Sequence, residues 1–284
     1  RESGHRCPTA TITDSFLYRG DDTLLSRAAW IDGLGSLVKT AMIFPGNAAQ
    51  NVPNVNGAVA LFSDTTGELA AMLDFHLVTK WKTAGDSLLA ASKLARPDSR
   101  KITLLGAGAV SRSMHAAYSA LFPDAAFTIW NRSPQAAQDM ARALPRCTAT
   151  TDLQSAVSRA DIVCTATMST QPLLHGDWLR PGQHIDLIGA FRPDMREADD
   201  TALQRAALFV DSFDTTLDHI GELKIPLAEG TIQRGDIQAD FYGISTNNFK
   251  RPSDAAITIC KNGGGAHLDL ITSNYILKSW RDTR

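Results

Sequence analysis

The sequence lacks a long apolar run and an excess of charge of either sign. No apolar stretch approaches the roughly 20 residues that a membrane-spanning helix needs, and no basic segment followed by an apolar one opens the chain, as in a secretory signal. The 28 basic and 30 acidic residues give a formal net charge of -2. Because no basic stripe stands out, a nucleic acid or an anionic membrane has no electrostatic support as a partner.

Cysteine is also scarce, with Cys7, Cys147, Cys164 and Cys260 as the only 4 among 284 residues. None of them forms a CxxC motif or lies at zinc-ligand spacing from a histidine. Cys164 and Cys260 occur in apolar, strand-like segments, where a buried and inert thiol is expected. We therefore expect a reduced, metal-free, cytoplasmic protein.

What the sequence does contain is a middle third that alternates β-rich and helical segments. The predicted strands are residues 101–105, 125–130, 161–165, 184–188 and 208–210. The predicted helices are residues 110–121, 134–144, 153–158 and a segment around 198–206. This alternation predicts an α/β fold with a parallel, doubly wound sheet of the Rossmann type.

The two ends of the chain have a different pattern. β-rich segments at 36–44, 57–62 and 68–73 lead to a long helix at 75–95, which ends before Pro97. After Phe213 come helical segments, a strand at 255–260 and a final helix opened by glycines 263–265. Since a chain of 284 residues favours two domains and neither end is complete alone, we predict one α+β substrate-binding domain from 1–97 plus 216–284. The nucleotide-binding domain, 98–215, is inserted into it.

A glycine-rich turn lies between the first strand and helix of the middle third, with the sequence Gly106-Ala107-Gly108-Ala109-Val110-Ser111. Its glycines permit a tight turn and close approach of the backbone to a pyrophosphate at the helix N-terminus. Serine at the third position leaves a purely structural turn as the alternative. A second strand ending about 20 residues later favours dinucleotide binding. We predict cofactor contacts from Gly106, Gly108, Ala109 and Val110.

The segment Asn131-Arg132-Ser133 follows the second strand, where NAD-specific sites usually have a carboxylate for the ribose 2′-hydroxyl. No carboxylate is present to repel a 2′-phosphate. Arg132 can pair with that phosphate and Ser133 can donate to it, although an exposed loop arginine is the alternative. The segment predicts NADP(H) as cofactor.

Two more segments follow strands at their carboxyl ends, where open α/β sheets bind ligands. They are Thr165-Ala166-Thr167-Met168 and Gly189-Ala190. We predict that both segments line the ribose and the nicotinamide.

Several short motifs occur in a fixed order along the chain. They are Lys39 before Phe44-Pro45-Gly46-Asn47, Asn56-Gly57, Lys82-Thr83-Ala84, Gly106-Ala107-Gly108, Pro193-Asp194-Met195-Arg196-Glu197, and Lys261-Asn262-Gly263 with Asp269. In this order they resemble the ornithine cyclodeaminase/μ-crystallin family over nearly the whole chain. The resemblance implies a nucleotide-binding domain inserted into a domain that forms a homodimer, and NAD(P)-linked chemistry on amino acids and imines.

Two positions depart from the family pattern. Phe191 replaces the catalytic aspartate of the cyclodeaminases and cannot transfer a proton. Lys82 replaces an arginine in the long helix, which keeps the charge without the guanidinium fork and resembles members that reduce cyclic imines. The resemblance therefore implies NADPH-dependent reduction of a cyclic ketimine acid, Δ1-pyrroline-2-carboxylate or Δ1-piperideine-2-carboxylate, to L-proline or L-pipecolate.

Lys39 occurs in an apolar strand, where a charge is unfavourable unless it is paired. The residues alone favour a lysine whose amine reaches solvent, whereas the resemblance implies that Lys39 binds the substrate carboxylate or donates the proton. Burial would lower its pKa towards a useful range. The resemblance also implies catalytic and substrate-binding roles for Lys82, with a solvated lysine as the alternative. Thr83 is a candidate contact for a cofactor phosphate.

The remaining candidates surround the substrate. Phe191 is expected to form an apolar wall, and Asn262 and Gly263 are expected to contact substrate, with Asn262 also contacting the cofactor. The alternative for these two is a turn needed only for packing. Asp269 either stabilises its helix or lies near the active site. An arginine binds the substrate carboxylate in some relatives, and the candidates here are Arg6, Arg19 and Arg27.

Other functions stay open at this point. The same scaffold serves ornithine cyclodeaminases and alanine- or opine-type dehydrogenases, and a non-catalytic protein that binds NADPH and a small ligand is a third possibility. In each case we expect a small-molecule partner, a cyclic imino acid or an amino acid.

Overall fold

The structure is a computed structural model that describes residues 4–50 and 52–283. Its strands are β1 Thr11–Arg19, β2 Asp22–Ile31, β3 Gly35–Ile43, β4 Val55–Phe62, β5 Leu69–Asp74, β6 Lys101–Leu105, β7 Ala126–Trp130, β8 Cys147–Thr150, β9 Ile162–Thr165, β10 His184–Leu187, β11 Ala207–Val210, β12 Ile237–Ala239 and β13 Thr258–Lys261. Its α-helices are α1 Phe75–Leu94, α2 Ala109–Leu121, α3 Pro134–Ala143, α4 Leu153–Arg159, α5 Asp200–Arg205, α6 Phe213–Thr216, α7 Gly221–Ala228 and α8 Ala266–Asp282. None of the helices in this described part of the chain is long and apolar enough to cross a membrane.

The described residues group into two compact units. The first contains the chain up to Lys82 and from Gly265 onwards, and the second contains Thr83–Gly264. The division falls within α1, whose first turns belong to the first unit.

The first unit is a five-stranded antiparallel sheet with the order β1-β2-β3-β4-β5. Side chains alternate between its faces, and Leu37, Lys39 and Ala41 of β3 all point to the buried one. Helix α8 packs on β2 and β3 at this face. The core is formed by Ala29, Ile31, Leu37, Val59, Leu61, Val78, Ala266, Leu270 and Ile271. Lys39 is therefore placed beside an apolar core by the period of its strand.

The second unit is an eight-stranded sheet with the order β12-β11-β13-β10-β9-β6-β7-β8, and every strand pair in it is parallel. Apolar side chains cover both faces. Leu105 and Val163 belong to one core cluster, while Leu104 and Ile162 belong to the other. This arrangement confirms the predicted Rossmann-type α/β fold.

The position of β13 was predicted wrongly. The sequence places this strand with the carboxyl-terminal flank, but it lies between β10 and β11 in the parallel sheet. Residues 83–97 and 216–264 likewise group with the second unit, unlike the predicted boundaries. The physical reason is burial, because Ala91 and Ala95 join the core of one sheet face and Ile257 and Ile259 join that of the other.

Four strands lie outside the sequence-based prediction, namely β1, β2, β8 and β12. Strands β8 and β12 are the two edges of the parallel sheet and have only four and three residues. Strand β1 is an edge strand with mostly exposed side chains. Because edge strands bury little, β8 and β12 carry no run of apolar residues that would reveal them. In β1 the apolar residues Phe16-Leu17-Tyr18 are consecutive and do not alternate with polar ones, so they do not show the period of a half-buried strand.

Candidate active site

The glycine turn after β6 has one glycine that the fold itself requires. Gly106 has φ +112, and a Cβ on it would lie 2.6 Å from the carbonyl oxygen of Ala166. Its N–H donates to the carbonyl of Trp130 at 2.8 Å. Both the backbone conformation and the close approach therefore exclude a side chain at this position.

Gly108 has a different explanation. It precedes α2 in an extended conformation, with φ −88, and a Cβ on it would meet no atom within 4 Å. Neither conformation nor packing requires glycine there, whereas the approach of a phosphate to the backbone would. The nearby Ser111 Oγ is buried without a hydrogen-bond partner among the described residues. The turn therefore fits a dinucleotide pyrophosphate at the N-terminus of α2.

The Asn131 side chain holds this turn against the end of β7. Its Oδ1 accepts from the N–H of Ala107 at 3.2 Å, and its Nδ2 donates to the Ser133 carbonyl at 3.1 Å. Arg132 and Ser133 have exposed side chains at the same point. Asn131 therefore shapes the turn, while Arg132 and Ser133 are the side chains free to approach a 2′-phosphate.

Glu197 joins the two loops predicted to line the nicotinamide. It is fully buried, and its carboxylate accepts hydrogen bonds from Thr165 Oγ1 at 2.6 Å and from the N–H and Oγ1 of Thr167 at 2.7 and 2.6 Å. It also accepts from the N–H groups of Gly189 and Ala190 at 2.7 and 3.2 Å. One carboxylate thus fixes the carboxyl ends of β9 and β10 relative to each other.

Glu222 and Lys261 complete this buried charged group. Glu222 accepts from the N–H groups of Glu197 and Ala198 at 2.8 and 2.9 Å, and burial raises its pKa to about 7. Burial lowers the pKa of Lys261, against the opposing effect of Glu222 and Glu197. Lys261 Nζ donates to the carbonyls of Leu187, Ala190 and Asn262.

These three charged residues were missed as positioning groups. Glu197 and Lys261 occur inside motifs that carried the family resemblance, but no role followed from them. The available signal was a lysine at the end of the apolar strand β13, because a charge in such a segment needs partners. Glu222 gave no local signal, since its partners Glu197 and Ala198 are 25 and 24 residues away in the sequence.

Three residues of the first unit form a charged row across its sheet. Asp14 lies opposite Arg27 in the pairing of β1 with β2, and Arg27 lies opposite Lys39 in the pairing of β2 with β3. Arg27 and Asp14 form an ion pair of 2.6 Å. The row borders the apolar core under α8, so its members are shielded from solvent on one side.

Lys39 is only 5% exposed. Its Nζ donates to Asp269 Oδ1 at 2.8 Å and to Thr79 Oγ1 at 2.9 Å, and it lies 4.8 Å from the centre of the Phe75 ring. Burial lowers the pKa of Lys39, and the charges of Lys82 and Arg27 add to this effect against that of Asp269. Lys39 is therefore a paired, buried cation rather than one whose amine reaches solvent.

Asp269 of α8 is fully buried. Burial by itself would raise its pKa, but Lys39, Lys82 and Arg27 outweigh burial and hold the pKa below its usual range. Its Oδ2 has no hydrogen-bond partner among the described residues and lies 3.9 Å from the Arg27 guanidinium. Asp269 is therefore the ion-pair partner of Lys39, and its place near an active site stays a prediction.

The candidate arginines are separated by their positions. Arg27 shares a face with Lys39, whereas Arg19 pairs with Asp22 and is 79% exposed. Arg6 lies in a short 3-10 turn, Gly4–Arg6. Arg27 is therefore the one that the described structure brings to the Lys39 row.

The other predicted residues are placed as follows. Lys82 and Thr83 are half-buried on α1, while Met168 and Phe191 are 71% and 57% exposed. A Cβ on Gly263 would lie 2.5 Å from Thr216 Oγ1, so packing requires this glycine. Asn262 Nδ2 donates to the buried carboxylate of Asp186.

A glycine turn of this shape on a Rossmann-type sheet defines a dinucleotide-binding protein. Residues 33–284 match the ornithine cyclodeaminase/mu-crystallin family. The chain belongs to this family, which confirms the resemblance carried by its motifs.

Individual relatives agree with this assignment. The chain is 50% identical to the Delta(1)-pyrroline-2-carboxylate reductase of Paracoccus denitrificans over 97% of its own length and 89% of the relative. It is 30% identical to the ketimine reductase mu-crystallin of Rattus norvegicus, over 85% and 75% of the two chains. Its fold matches the structure of Thermococcus litoralis Delta(1)-pyrroline-2-carboxylate reductase in complex with NADH and L-proline, with a TM-score of 0.90, 24% identity and coverage of 99% and 92%.

Proposed function

We propose that this protein reduces a cyclic ketimine acid, Δ1-pyrroline-2-carboxylate or Δ1-piperideine-2-carboxylate, to L-proline or L-pipecolate with NADPH. The observation that carries the proposal is the buried Lys39–Asp269 pair. The likeness to a pyrroline-2-carboxylate reductase over almost the whole chain supports it.

In the proposed reaction Lys39 is the proton source. An iminium carbon accepts a hydride far better than a neutral imine does, so a proton must reside on the substrate nitrogen. NADPH, when bound, supplies the hydride to the C2 carbon. A lysine whose pKa is lowered by burial is a stronger acid than a solvated one, and Asp269 fixes the direction of its ammonium group.

The substrate carboxylate requires a second cation. Arg27 and Lys82 are the candidates in the first unit, because both act electrostatically on the Lys39–Asp269 pair. A guanidinium binds a planar carboxylate through two parallel hydrogen bonds. We assign the anchoring role to Arg27, with Lys82 contributing charge and Phe191 contributing apolar contact with the ring.

NADPH is proposed over NADH because the end of β7 carries Arg132 and no carboxylate. The proposed cofactor contacts are those predicted from the sequence: Thr83, Gly106, Gly108, Ala109, Val110, Asn131, Arg132, Ser133, Thr165, Ala166, Thr167, Met168, Gly189, Ala190 and Asn262. Of these, Asn131, Thr165, Thr167, Gly189 and Ala190 have their polar groups bound within the protein. They are expected to act through loop shape or remaining hydrogen-bonding capacity.

The test is NADPH oxidation with the five- and six-membered imines measured side by side, and again with NADH. We expect turnover with at least one ring size and a preference for NADPH. Ammonia release from L-ornithine without net cofactor turnover would instead identify a cyclodeaminase, against which Phe191 counts. Binding of NADPH without turnover of any imine would favour a binding protein.

We further propose a cytoplasmic homodimer. The outer face of the antiparallel sheet carries exposed apolar side chains, among them Trp30 at 56%, Val38 at 38% and Met72 at 61% exposed. Val38, Ala60 and Met72 lie side by side across three neighbouring strands. Exposed apolar side chains grouped on one sheet face are typical of an interface. Light scattering on the purified chain should give twice the chain mass, and a monomer at micromolar concentration would contradict the proposal.

A further inference from the structure

A second buried carboxylate of the parallel sheet has no place in the proposed chemistry. Asp186 of β10 is fully buried. It accepts hydrogen bonds from Ser87 Oγ of α1, from the Tyr118 hydroxyl of α2 at 2.8 Å, and from Asn262 Nδ2. Ser87 and Tyr118 also bond each other at 2.9 Å. Three elements and the segment after β13 therefore meet at one carboxylate.

The Asn262 amide is the neighbour whose direction Asp186 fixes. Its Nδ2 donates to Asp186 Oδ1, whereas Ser87 and Tyr118 both lie against Oδ2. An Oδ1 without a proton can only accept, so it selects the Asn262 amide N–H group over the amide oxygen. Burial raises the pKa of Asp186 to about 7, although Tyr118 and Lys261 favour ionisation.

Burial also shifts the pKa values of other groups around Asp186. Cys164 and Cys260 lie opposite it on the two adjacent strands, and burial holds the pKa of both thiols well above the usual range. The carboxylates of Asp86 and Asp211 raise the pKa of Asp186. Both thiols beside Asp186 therefore stay protonated at neutral pH.

The hydrogen bond to Asp186 fixes the orientation of the Asn262 side-chain amide. Because its Nδ2 is bound to Asp186, its Oδ1 must point the other way. This oxygen is buried in a residue that is 7% exposed, and it has no hydrogen-bond partner among the described residues. A buried acceptor is normally satisfied in a folded protein, so Asn262 presents an acceptor that a ligand can use.

The place of Asn262 in the sheet indicates which ligand group this is. Its N–H donates to the Leu187 carbonyl at 3.1 Å, so it lies at the carboxyl edge beside the Gly189–Ala190 loop. Strand β13 is three positions from β6 in the sheet order, or about 14 Å at the usual strand spacing. Asn262 therefore lies on the side of β6 opposite to β7, and the adenine half of the cofactor is expected beside β7. The nicotinamide half of the cofactor belongs at this end.

We propose that Asp186 is a positioning residue that orients the Asn262 amide, so that Asn262 Oδ1 accepts a hydrogen bond from the carboxamide N–H of the nicotinamide. The carboxamide is the one donor on that ring, and binding it fixes which face of the ring is presented for hydride transfer. The inference rests on the proposed use of a nicotinamide cofactor, but not on the identity of the imine.

The test compares the dissociation constants of NADP+ and its 3-acetylpyridine analogue, in which an acetyl group removes the N–H donors. Calorimetry on the intact protein measures both without any substrate. We expect the wild type to bind NADP+ about tenfold more tightly than the analogue, as for one hydrogen bond. Asn262→Leu and Asp186→Leu should bring this ratio to within about twofold of unity.

Ser87→Ala is the matched control, because it removes another hydrogen bond to Asp186 and leaves that of Asn262. It should lower the melting temperature and keep the wild-type ratio. If Asp186→Leu does not fold, Asp186→Asn provides the second measurement. Its side-chain amide can donate to Asn262 Oδ1 and turn the Asn262 amide, so the ratio should again approach unity. The 2′-phosphate is common to both ligands and cancels.

Each outcome has a distinct meaning. An unchanged ratio in Asn262→Leu overturns the role of Oδ1, and a raised KM for the imine in that variant would assign Asn262 to the substrate instead. A ratio that falls in Asn262→Leu, but responds neither to Asp186→Leu nor to Asp186→Asn, overturns the positioning role of Asp186. Absence of imine reduction with the expected ratios would contradict the proposed function alone.

Discussion

The two units each bury a lysine, and the two lysines have different kinds of partner. Lys261 in the parallel sheet donates to three backbone carbonyls, at 2.6 to 3.0 Å. Lys39 in the antiparallel sheet donates to the side chains of Asp269 and Thr79. Burial lowers the pKa of both. A perturbed pKa therefore does not by itself mark a reactive group.

The carboxylates of the two units show the same contrast. Glu197 accepts five hydrogen bonds from backbone and hydroxyl groups, which fills its acceptor capacity. Asp269 has an oxygen with no hydrogen-bond partner among the described residues. The charges of the parallel sheet shape loops, whereas Asp269 beside Lys39 keeps an acceptor oxygen that the proposed substrate site can use. Replacing either lysine by methionine tests this difference between the two units.

The largest effect is expected from Lys39→Met. Loss of the proposed proton donor should lower kcat/KM by about a thousandfold, while the dissociation constant of NADPH changes less than twofold. Steady-state kinetics and a fluorescence titration of NADPH measure the two effects. Lys80→Met is the control, because Lys80 lies over the exposed face of Trp81 and should leave both values unchanged. Retained turnover in Lys39→Met would remove Lys39 from the chemistry.

Lys261→Met should act on stability instead. The change leaves three carbonyls without a donor and Glu222 and Glu197 without their cation, and uncompensated buried charge of this kind costs about 3–5 kcal/mol of unfolding free energy. Denaturant unfolding at pH 8 measures it. Lys224→Met offers a control on an exposed side chain of the same unit. A loss of activity with unchanged stability would mean that Lys261 acts in the reaction, as proposed for Lys39. The predicted difference between the two lysines would then be wrong.

Arg132→Asp tests the adenine end of the parallel sheet. A charge-assisted hydrogen bond to the 2′-phosphate contributes about 1.5–3 kcal/mol, so the preference for NADPH over NADH should fall by about ten- to a hundredfold. The ratio of kcat/KM for the two cofactors is the measurement. Arg112→Asp serves as a comparison on α2. An unchanged ratio in Arg132→Asp would leave Arg132 as an exposed loop arginine.

Local patterns were sufficient to predict the parallel sheet and its glycine turn. Strand β6, the turn from Gly106 to Gly108 and helix α2 follow one another directly in the sequence. The spacing of apolar residues detects elements that are built from such consecutive residues. These predictions needed no knowledge of contacts between distant segments. Lys39 was different, because the residues alone favoured a lysine whose amine reaches solvent, and only the family resemblance implied a role for it.

Long-range pairing could not be predicted in the same way. Lys39 and Asp269 are 230 residues apart, and no local pattern relates them. Strand β13 follows the chain order of the flank, yet it enters the middle of the parallel sheet. Its β-branched residues indicate a strand but not its neighbours. The buried carboxylates Asp186 and Glu222 escaped notice for the same reason, since their donors come from other elements.

The smallest effect expected is a shift of the pH profile, and it separates the two halves of the Lys39 pair. If Lys39 donates the proton, kcat falls as the pH rises through its pKa, which burial holds below the usual 10.5. Asp269 raises that pKa, so Asp269→Asn should move the alkaline limb to lower pH by about one pH unit. Asp14→Asn is the matched control, because Asp14 pairs with Arg27 in the same row and should leave the limb in place. A limb that stays fixed in Asp269→Asn, or moves to higher pH, would mean that a group other than Lys39 titrates. Lys39 and Lys261 would then differ only in how their replacement changes the free energy of unfolding.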